Sequence, residues 1–139
     1  MTEERPIRAT GGCLCGAVRY EVRGKMSDVY FCHCSQCRRN TGHYLASSST
    51  RRKNFNLVRE DALRWYESSS HARRGFCGVC GSVLFWDEKN ADYISIAAGS
   101  LDPPTGLKPG AHIFVADKSD YYEIGDGLPQ WPAGPGASS

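Results

Sequence analysis

Short runs of alternating apolar and polar residues dominate the chain. Residues 17–22 alternate as a half-buried strand does, and residues 29–32 form a short apolar run typical of a strand. Similar runs predict further strands at 44–49, 55–59, 63–67, 72–76, 83–86, 93–98 and 112–116. The polar residues 35–41, followed by a glycine, predict one turn or a short helix. The pattern as a whole predicts a mainly β fold of short antiparallel sheets.

The chain length fits one domain, which we assign to residues 1–131. Residues 132–139 are rich in proline, glycine and serine, and they predict a flexible C-terminal tail. Trp131 could still pack on the domain. Forty per cent of the residues are hydrophobic and 23% are charged, a balance that is ordinary for a globular protein and argues against global disorder.

The sequence predicts neither a membrane segment nor a secretion signal. No apolar run approaches the roughly 20 residues that a membrane span requires. Residues 1–8 include Glu3, Glu4 and Arg5 where a signal peptide would be hydrophobic. We therefore expect a cytoplasmic protein, in which clustered cysteines serve as metal ligands or catalytic groups more often than as disulfides.

The seven cysteines fall into three clusters whose spacing is typical of metal ligands. Cys77 and Cys80 form a Cys-x-x-Cys turn that Gly81 can close, and this is half of a tetrahedral zinc site. Cys13 and Cys15 are two residues apart, so on a strand both sulfurs point to the same face. The remaining cluster consists of Cys32, Cys34 and Cys37.

Ligand number predicts how the clusters combine into two zinc sites. The first and third clusters together supply four sulfurs, which is a closed structural zinc site. The middle cluster supplies three, which leaves a fourth position for water or substrate, as in a catalytic zinc site. The alternative joins the third cluster to the middle one. This would place five cysteines at one site and two at the other, which fits tetrahedral zinc less well.

Other interpretations of these residues stay open from the sequence. The cysteines could be unligated core residues, Cys34 and Cys37 could be a redox pair, and the second zinc could be purely structural. His33 would point away from its neighbouring cysteines on an extended segment, so we expect it to pack or to form hydrogen bonds.

The cysteine clusters also carry a resemblance to a known family. The matching segments are 12–16, 32–39, 76–81, 99–102, 112–114 and 128–129, which together span most of residues 11–131. They resemble the glutathione-dependent formaldehyde-activating enzyme (GFA) family, whose members share the Mss4-like fold. The resemblance implies a structural zinc on the first and third clusters and a catalytic zinc on the middle one.

The resemblance further implies a carbon–sulfur lyase. The expected reaction joins formaldehyde and glutathione to give S-(hydroxymethyl)glutathione, or uses a related thiol adduct, so the expected partner is a small-molecule thiol. Arg38 and Arg39 follow the middle cluster and are candidate glutathione contacts. The acid–base group stays open between His33, Tyr44 and a zinc-bound water.

A second functional hypothesis is a non-enzymatic zinc module that binds a protein or a nucleic acid. Residues 51–53 and the pair Arg73 and Arg74 are basic runs that could contribute to such a surface. However, the formal charge of +2 becomes −1 when seven thiolates hold two zinc ions. This charge argues against general attraction to nucleic acid.

Overall fold

A computed structural model describes residues 5–136 and contains two compact units. The first unit is formed by Met1–Ser27 and Ser48–Gly106, and the second by Asp28–Ser47 and Leu107–Ser139. The assignment of one domain to residues 1–131 stays a prediction.

Within the described residues the fold is mainly β, which confirms the predicted fold class. The strands are β1 (Ala9–Gly12), β2 (Arg19–Val22), β3 (Val29–Cys32), β4 (Leu45–Arg51), β5 (Phe55–Arg59), β6 (Leu63–Glu67), β7 (Ala72–Cys77), β8 (Val83–Glu88), β9 (Tyr93–Ala97) and β10 (Pro109–Ile113). The helix α1 spans Ser35–Thr41, and three short 3-10 helices span Arg52–Asn54, Ala98–Ser100 and Val115–Asp117. No helix among residues 5–136 is long and apolar enough to cross a membrane.

The first unit is built from antiparallel strands. One sheet has the order β1-β2-β5, and strands β9, β8, β7 and β6 pair successively beside one another. Successive side chains of β2 point to opposite faces of the sheet, and those of Tyr20 and Val22 are buried. The Tyr20 ring packs edge-on against Phe85 of β8, with ring centroids 5.3 Å apart. These apolar contacts form the core of the first unit.

The second unit contains a parallel strand pair. Strand β10 runs parallel to β3, and the register places His112 beside Phe31 and Ile113 beside Cys32. On its other side β3 pairs antiparallel with the start of β4, where Cys32 is opposite Leu45. Strand β3 therefore ends at a cysteine that has neighbouring strands on both sides.

The C-terminal segment is attached to β10. Gln130 forms a parallel bridge with His112, and the Trp131 N–H donates to the His112 carbonyl at 2.9 Å. The Phe114 N–H donates to the Ala133 carbonyl, also at 2.9 Å. The predicted tail thus has hydrogen bonds at Ala133, whereas residues 137–139 of that tail lie outside the described residues.

Two local predictions differ from the structure. The strand predicted at 112–116 ends at Ile113, because Phe114 adopts a positive φ of 55° and a 3-10 helix follows. Strand β1 was not predicted, since its sequence of Ala, Thr and two glycines has little strand character. It forms because it pairs along its whole length with β2.

Replacing Gly11 with alanine should lower the free energy of unfolding by about 2 kcal/mol, because the site has no room for a methyl group. A Cβ there would overlap the Tyr20 hydroxyl and lie 2.5 Å from the Ser100 carbonyl oxygen. Gly99→Ala is the matched control, since a Cβ at Gly99 meets no described atom within 4 Å. Urea denaturation of both variants checks the prediction, and equal stability of the two would contradict it.

Candidate metal centres and active site

The first unit brings Cys13, Cys15, Cys77 and Cys80 together, as the sequence predicted. Their sulfur atoms all lie within 4.8 Å of one another. The Cys13 and Cys15 sulfurs are 3.6 Å apart, and those of Cys15 and Cys77 are 3.8 Å apart. Zinc–sulfur bonds of about 2.3 Å in a tetrahedron require sulfur–sulfur distances of about 3.8 Å. The cluster therefore fits a tetrahedral metal ion.

Two similar turns position these sulfurs. Cys13 directly follows β1, and its sulfur accepts the Val18 N–H at 3.2 Å. Cys77 ends β7, and its sulfur lies 3.4 Å from the amide nitrogens of Val79 and Cys80, which donate to it. Gly81 has a positive φ of 79°, which lets this turn close. Amide donors of this kind stabilise a sulfur that carries negative charge.

Ser82 links the two turns, although the sequence gave no sign of this role. Its hydroxyl oxygen accepts the Leu14 N–H at 3.0 Å and lies 3.1 Å from the Cys80 sulfur. Hydrogen bonds from the Ser82 hydroxyl and amide are the main reason that the pKa of Cys80 falls to about 5. The side chain thus favours a thiolate at Cys80.

The second unit brings Cys32, Cys34 and Cys37 together, and their sulfurs also lie within 4.8 Å of one another. Cys32 ends β3, and Cys34 caps α1 by accepting the Cys37 N–H on its sulfur at 3.3 Å. Hydrogen bonds with Cys32 and Cys37 lower the pKa of Cys34. Among the described residues, no fourth cysteine, histidine or carboxylate joins this group. The cluster fits a metal ion with one position that no described residue fills.

His33 lies between two of these cysteines in sequence and is buried, with 1% of its surface exposed. Its Nε2 atom is 2.8 Å from Nδ1 of His112, whose Nε2 is 2.7 Å from Asp126 Oδ2. The Tyr122 hydroxyl is 3.3 Å from His33 Nδ1, and the Tyr44 ring centroid is 5.0 Å from that of His33. Burial is the main reason that the pKa of His33 falls to about 4. The imidazole is hydrogen-bonded, as expected, and is neutral at pH 7.

The two arginines after the three-cysteine cluster differ in environment. Arg38 is half-buried, and its buried Nε atom has no hydrogen-bond partner among residues 5–136. Arg39 is exposed. A buried guanidinium nitrogen without an acceptor is uncommon, since its burial otherwise costs free energy. Arg38 can therefore accommodate an acceptor that residues 5–136 do not supply.

The basic runs of the first unit are largely paired with acidic residues. Arg52 and Arg73 both bind the buried carboxylate of Asp87, at 2.5 Å and 2.8 Å. Arg51 pairs with Asp92 at 2.7 Å. These side chains already have anionic partners, which lowers their capacity to bind phosphates.

Comparison with protein-family models gives a match to the glutathione-dependent formaldehyde-activating enzyme over residues 8–117, which contain both cysteine clusters. The chain belongs to this GFA family. A relative from Schizosaccharomyces pombe, named an uncharacterized lyase, is 28% identical over 82% of this chain and 83% of its own length. A crystal structure of a Rhodobacter sphaeroides protein matches with a TM-score of 0.60 and 27% identity, over 72% of this chain and 97% of that one. The β structure agrees with the Mss4-like fold expected of the GFA family.

Single substitutions should separate the two clusters as metal sites. Cys77→Ser should abolish cobalt binding by the four-cysteine cluster and lower the melting temperature on the order of 10 °C, because a metal there joins distant parts of the first unit. Cys34→Ser should remove binding at the three-cysteine cluster with a smaller effect on melting. Thiolate-to-cobalt charge-transfer absorption during titration measures each site. A cobalt stoichiometry that neither substitution changes would contradict both assignments.

Proposed function

We propose that this GFA-family protein is a zinc-dependent carbon–sulfur lyase. The four-cysteine cluster holds a structural zinc, and the three-cysteine cluster holds the catalytic zinc. The reaction joins glutathione and formaldehyde to give S-(hydroxymethyl)glutathione, or acts on a related thiol adduct. The observation that carries the proposal is the difference between two compact sulfur clusters, of which one has four ligands and the other three. The name of the Schizosaccharomyces pombe relative supports a lyase.

The chain's own residues prepare the three-cysteine cluster for a substrate thiol. Zinc bound there would lower the pKa of a thiol in the fourth position and favour the nucleophilic thiolate. Cys34 is held by the Cys37 amide, and Cys37 is 4% exposed, so two ligands are fixed by α1 and its start. A substrate thiolate would join three cysteine thiolates around a divalent ion, which gives a net charge of about −2.

Arg38 is the better placed of the two arginines to interact with that anionic complex. It immediately follows the ligand Cys37, and its buried Nε atom has no acceptor within the described chain. A guanidinium binds a carboxylate through two parallel hydrogen bonds, and glutathione carries two carboxylates. Arg39 adds positive charge from an exposed position, where solvent screens it more strongly.

The alternative function, a zinc module that binds nucleic acid or protein without catalysis, has less support. Its candidate basic residues Arg52 and Arg73 share the carboxylate of Asp87. A purely structural site also has no use for a three-ligand cluster. We also propose a cytoplasmic location, which is an expectation from the sequence alone. The choice of glutathione as the thiol follows from the family.

Calorimetric titration of the zinc-loaded protein with glutathione tests the proposed function. We expect saturable binding, with an apparent enthalpy that changes between buffers of different ionisation enthalpy, because a thiol that binds as thiolate releases its proton. Absence of binding at millimolar glutathione would remove glutathione from the proposal.

Cys34→Ser is the matched variant for this titration. It should lose both the proton release and the turnover of glutathione with formaldehyde, while the four-cysteine cluster retains its metal. Full turnover by Cys34→Ser would show that the three-cysteine cluster is not the catalytic site.

Substitution of the two arginines should affect substrate binding unequally. Arg38→Gln should raise the KM for glutathione by about tenfold or more, because a hydrogen bond to a charged group contributes roughly 1.5–3 kcal/mol. Arg39→Gln, which removes the same charge from an exposed position, should change KM less than about threefold. Steady-state kinetics decides this, and equal KM values for the two variants would contradict the role of Arg38.

A further inference from the structure

The face of the sheet that carries the Cys32 side chain also carries apolar side chains. The register pairs Cys32 with Ile113 of β10 on one side and with Leu45 of β4 on the other. Neighbouring strands lie about 4.8 Å apart and paired side chains share a face, so Ile113 and Leu45 flank Cys32 directly. Tyr30 precedes Cys32 by two residues on β3 and lies on that face too. A ligand at the three-cysteine cluster therefore borders on apolar groups.

Trp131 extends this apolar surface. Gln130 bridges His112 in parallel, so the next residue, Trp131, lies on the opposite face, beside Ile113. The Trp131 and Tyr30 ring centroids are 6.4 Å apart, which places the indole on the Cys32 face. We call Tyr30, Ile113 and Trp131 the apolar shelf. All three are half-buried, so each keeps some surface that a ligand can cover.

The strand positions on this face determine which kind of group the shelf accepts. They are Tyr30, Cys32, Leu45, Ser47, Ala111 and Ile113. None of these residues is an aspartate, glutamate, lysine or arginine, so a charged group placed on the shelf would lose water without gaining an ionic partner from them. An apolar group gains from leaving water there. The shelf therefore suits the apolar part of a substrate.

In the proposed reaction this apolar part belongs to the carbonyl compound. Glutathione consists of glutamate, cysteine and glycine, and it has no apolar side chain. An aldehyde RCHO adds to the thiol to give a product with the group S–CH(OH)R. The S–C bond forms, the electron pair of the C=O π bond moves to oxygen, and the oxygen takes up a proton that replaces the one lost by the thiol. The group R is then attached to the carbon next to the sulfur, whereas formaldehyde supplies only hydrogen there.

We propose that Ile113 and Trp131 are specificity-determining residues that bind the group R, so that aldehydes with an aliphatic or aromatic group are substrates besides formaldehyde. Ile113 lies beside the ligand Cys32, and Trp131 continues the same surface. Trp131 also lies beyond residues 8–117, which match the family model, so this contact comes from a segment outside the matched region. The inference rests on the proposed thiol chemistry of the three-cysteine cluster.

Two unreactive compounds test the shelf by binding alone. S-methylglutathione and S-hexylglutathione differ only in the length of the alkyl group on sulfur, which is where R is attached. Calorimetry on the zinc-loaded protein should show about tenfold tighter binding of the hexyl compound, the effect of burying about two methylene groups. The protein should also accelerate the addition of glutathione to hexanal, and absence of that acceleration would contradict the proposed substrate class.

Substitutions on the shelf should remove this preference. Trp131→Ala should reduce the ratio of the two affinities to about two or less, and Ile113→Ala should reduce it about threefold, because each removes apolar surface that the hexyl chain contacts. Tyr66→Ala is the control, since it removes an aromatic ring of the first unit that is 63% exposed, and it should leave the ratio at about ten.

The place of the hexyl chain has a readout of its own. In NMR spectra of the complex, its protons should show nuclear Overhauser effects to the Trp131 indole and to the Ile113 methyl groups. Effects to other residues alone would overturn the assignment of the shelf.

The outcomes of the titrations separate the two proposals. Equal affinity of the methyl and hexyl compounds, or a hexyl preference that both shelf substitutions leave intact, would overturn the specificity role while the lyase proposal stands. Binding of glutathione without binding of S-hexylglutathione would do the same. If neither glutathione nor the two alkyl compounds bind, both proposals are wrong.

Discussion

The convergence of four sulfur atoms within 4.8 Å is the constraint on which the first unit depends. Four thiolates at this distance repel one another strongly unless a cation or protons lie between them. Cys13 and Cys77 come from turns more than sixty residues apart in the chain, so a metal ion there would close a long loop. The amide donors and Ser82 around the sulfurs show that the polypeptide already favours negative charge at this point.

In the proposed function, the three-cysteine cluster binds a metal through the same kind of ligand but serves catalysis. Its ligands all lie within six consecutive residues, at the end of β3 and in α1, so a metal there closes no long loop. Among the described residues no fourth ligand joins the cluster, so a zinc ion bound there would have one position at which water could exchange for a thiol. Contacts with β10 hold the backbone between Cys32 and Cys34 in place. The His33 ring is hydrogen-bonded to His112, and the His33 N–H donates to the Ile113 carbonyl.

The two cysteine clusters could be predicted from the sequence because the spacing of their members is local. Cysteines two or three residues apart stay close enough to share a metal ion in a turn as well as on a strand: Cys13 and Cys15 lie in the turn after β1, not on the strand that their spacing suggested. Counting ligands then suggests how the clusters combine. The hydrogen bonds that join His33, His112 and Asp126 could not be predicted in this way. His33 and His112 are 79 residues apart and meet because β10 pairs in parallel with β3, a pairing that neither strand's sequence encodes. The different environments of Arg38 and Arg39 likewise depend on tertiary burial, which adjacent identical residues cannot reveal.

The central claim is that one zinc site is complete and the other keeps a position for substrate sulfur. X-ray absorption at the zinc edge measures it most directly, because the average number of sulfur ligands per zinc follows from the two sites together. The account predicts about 3.5 sulfurs per zinc in the protein alone and about 4 after saturation with glutathione. A value of 4 before any thiol is added, or one that glutathione does not change, would contradict it.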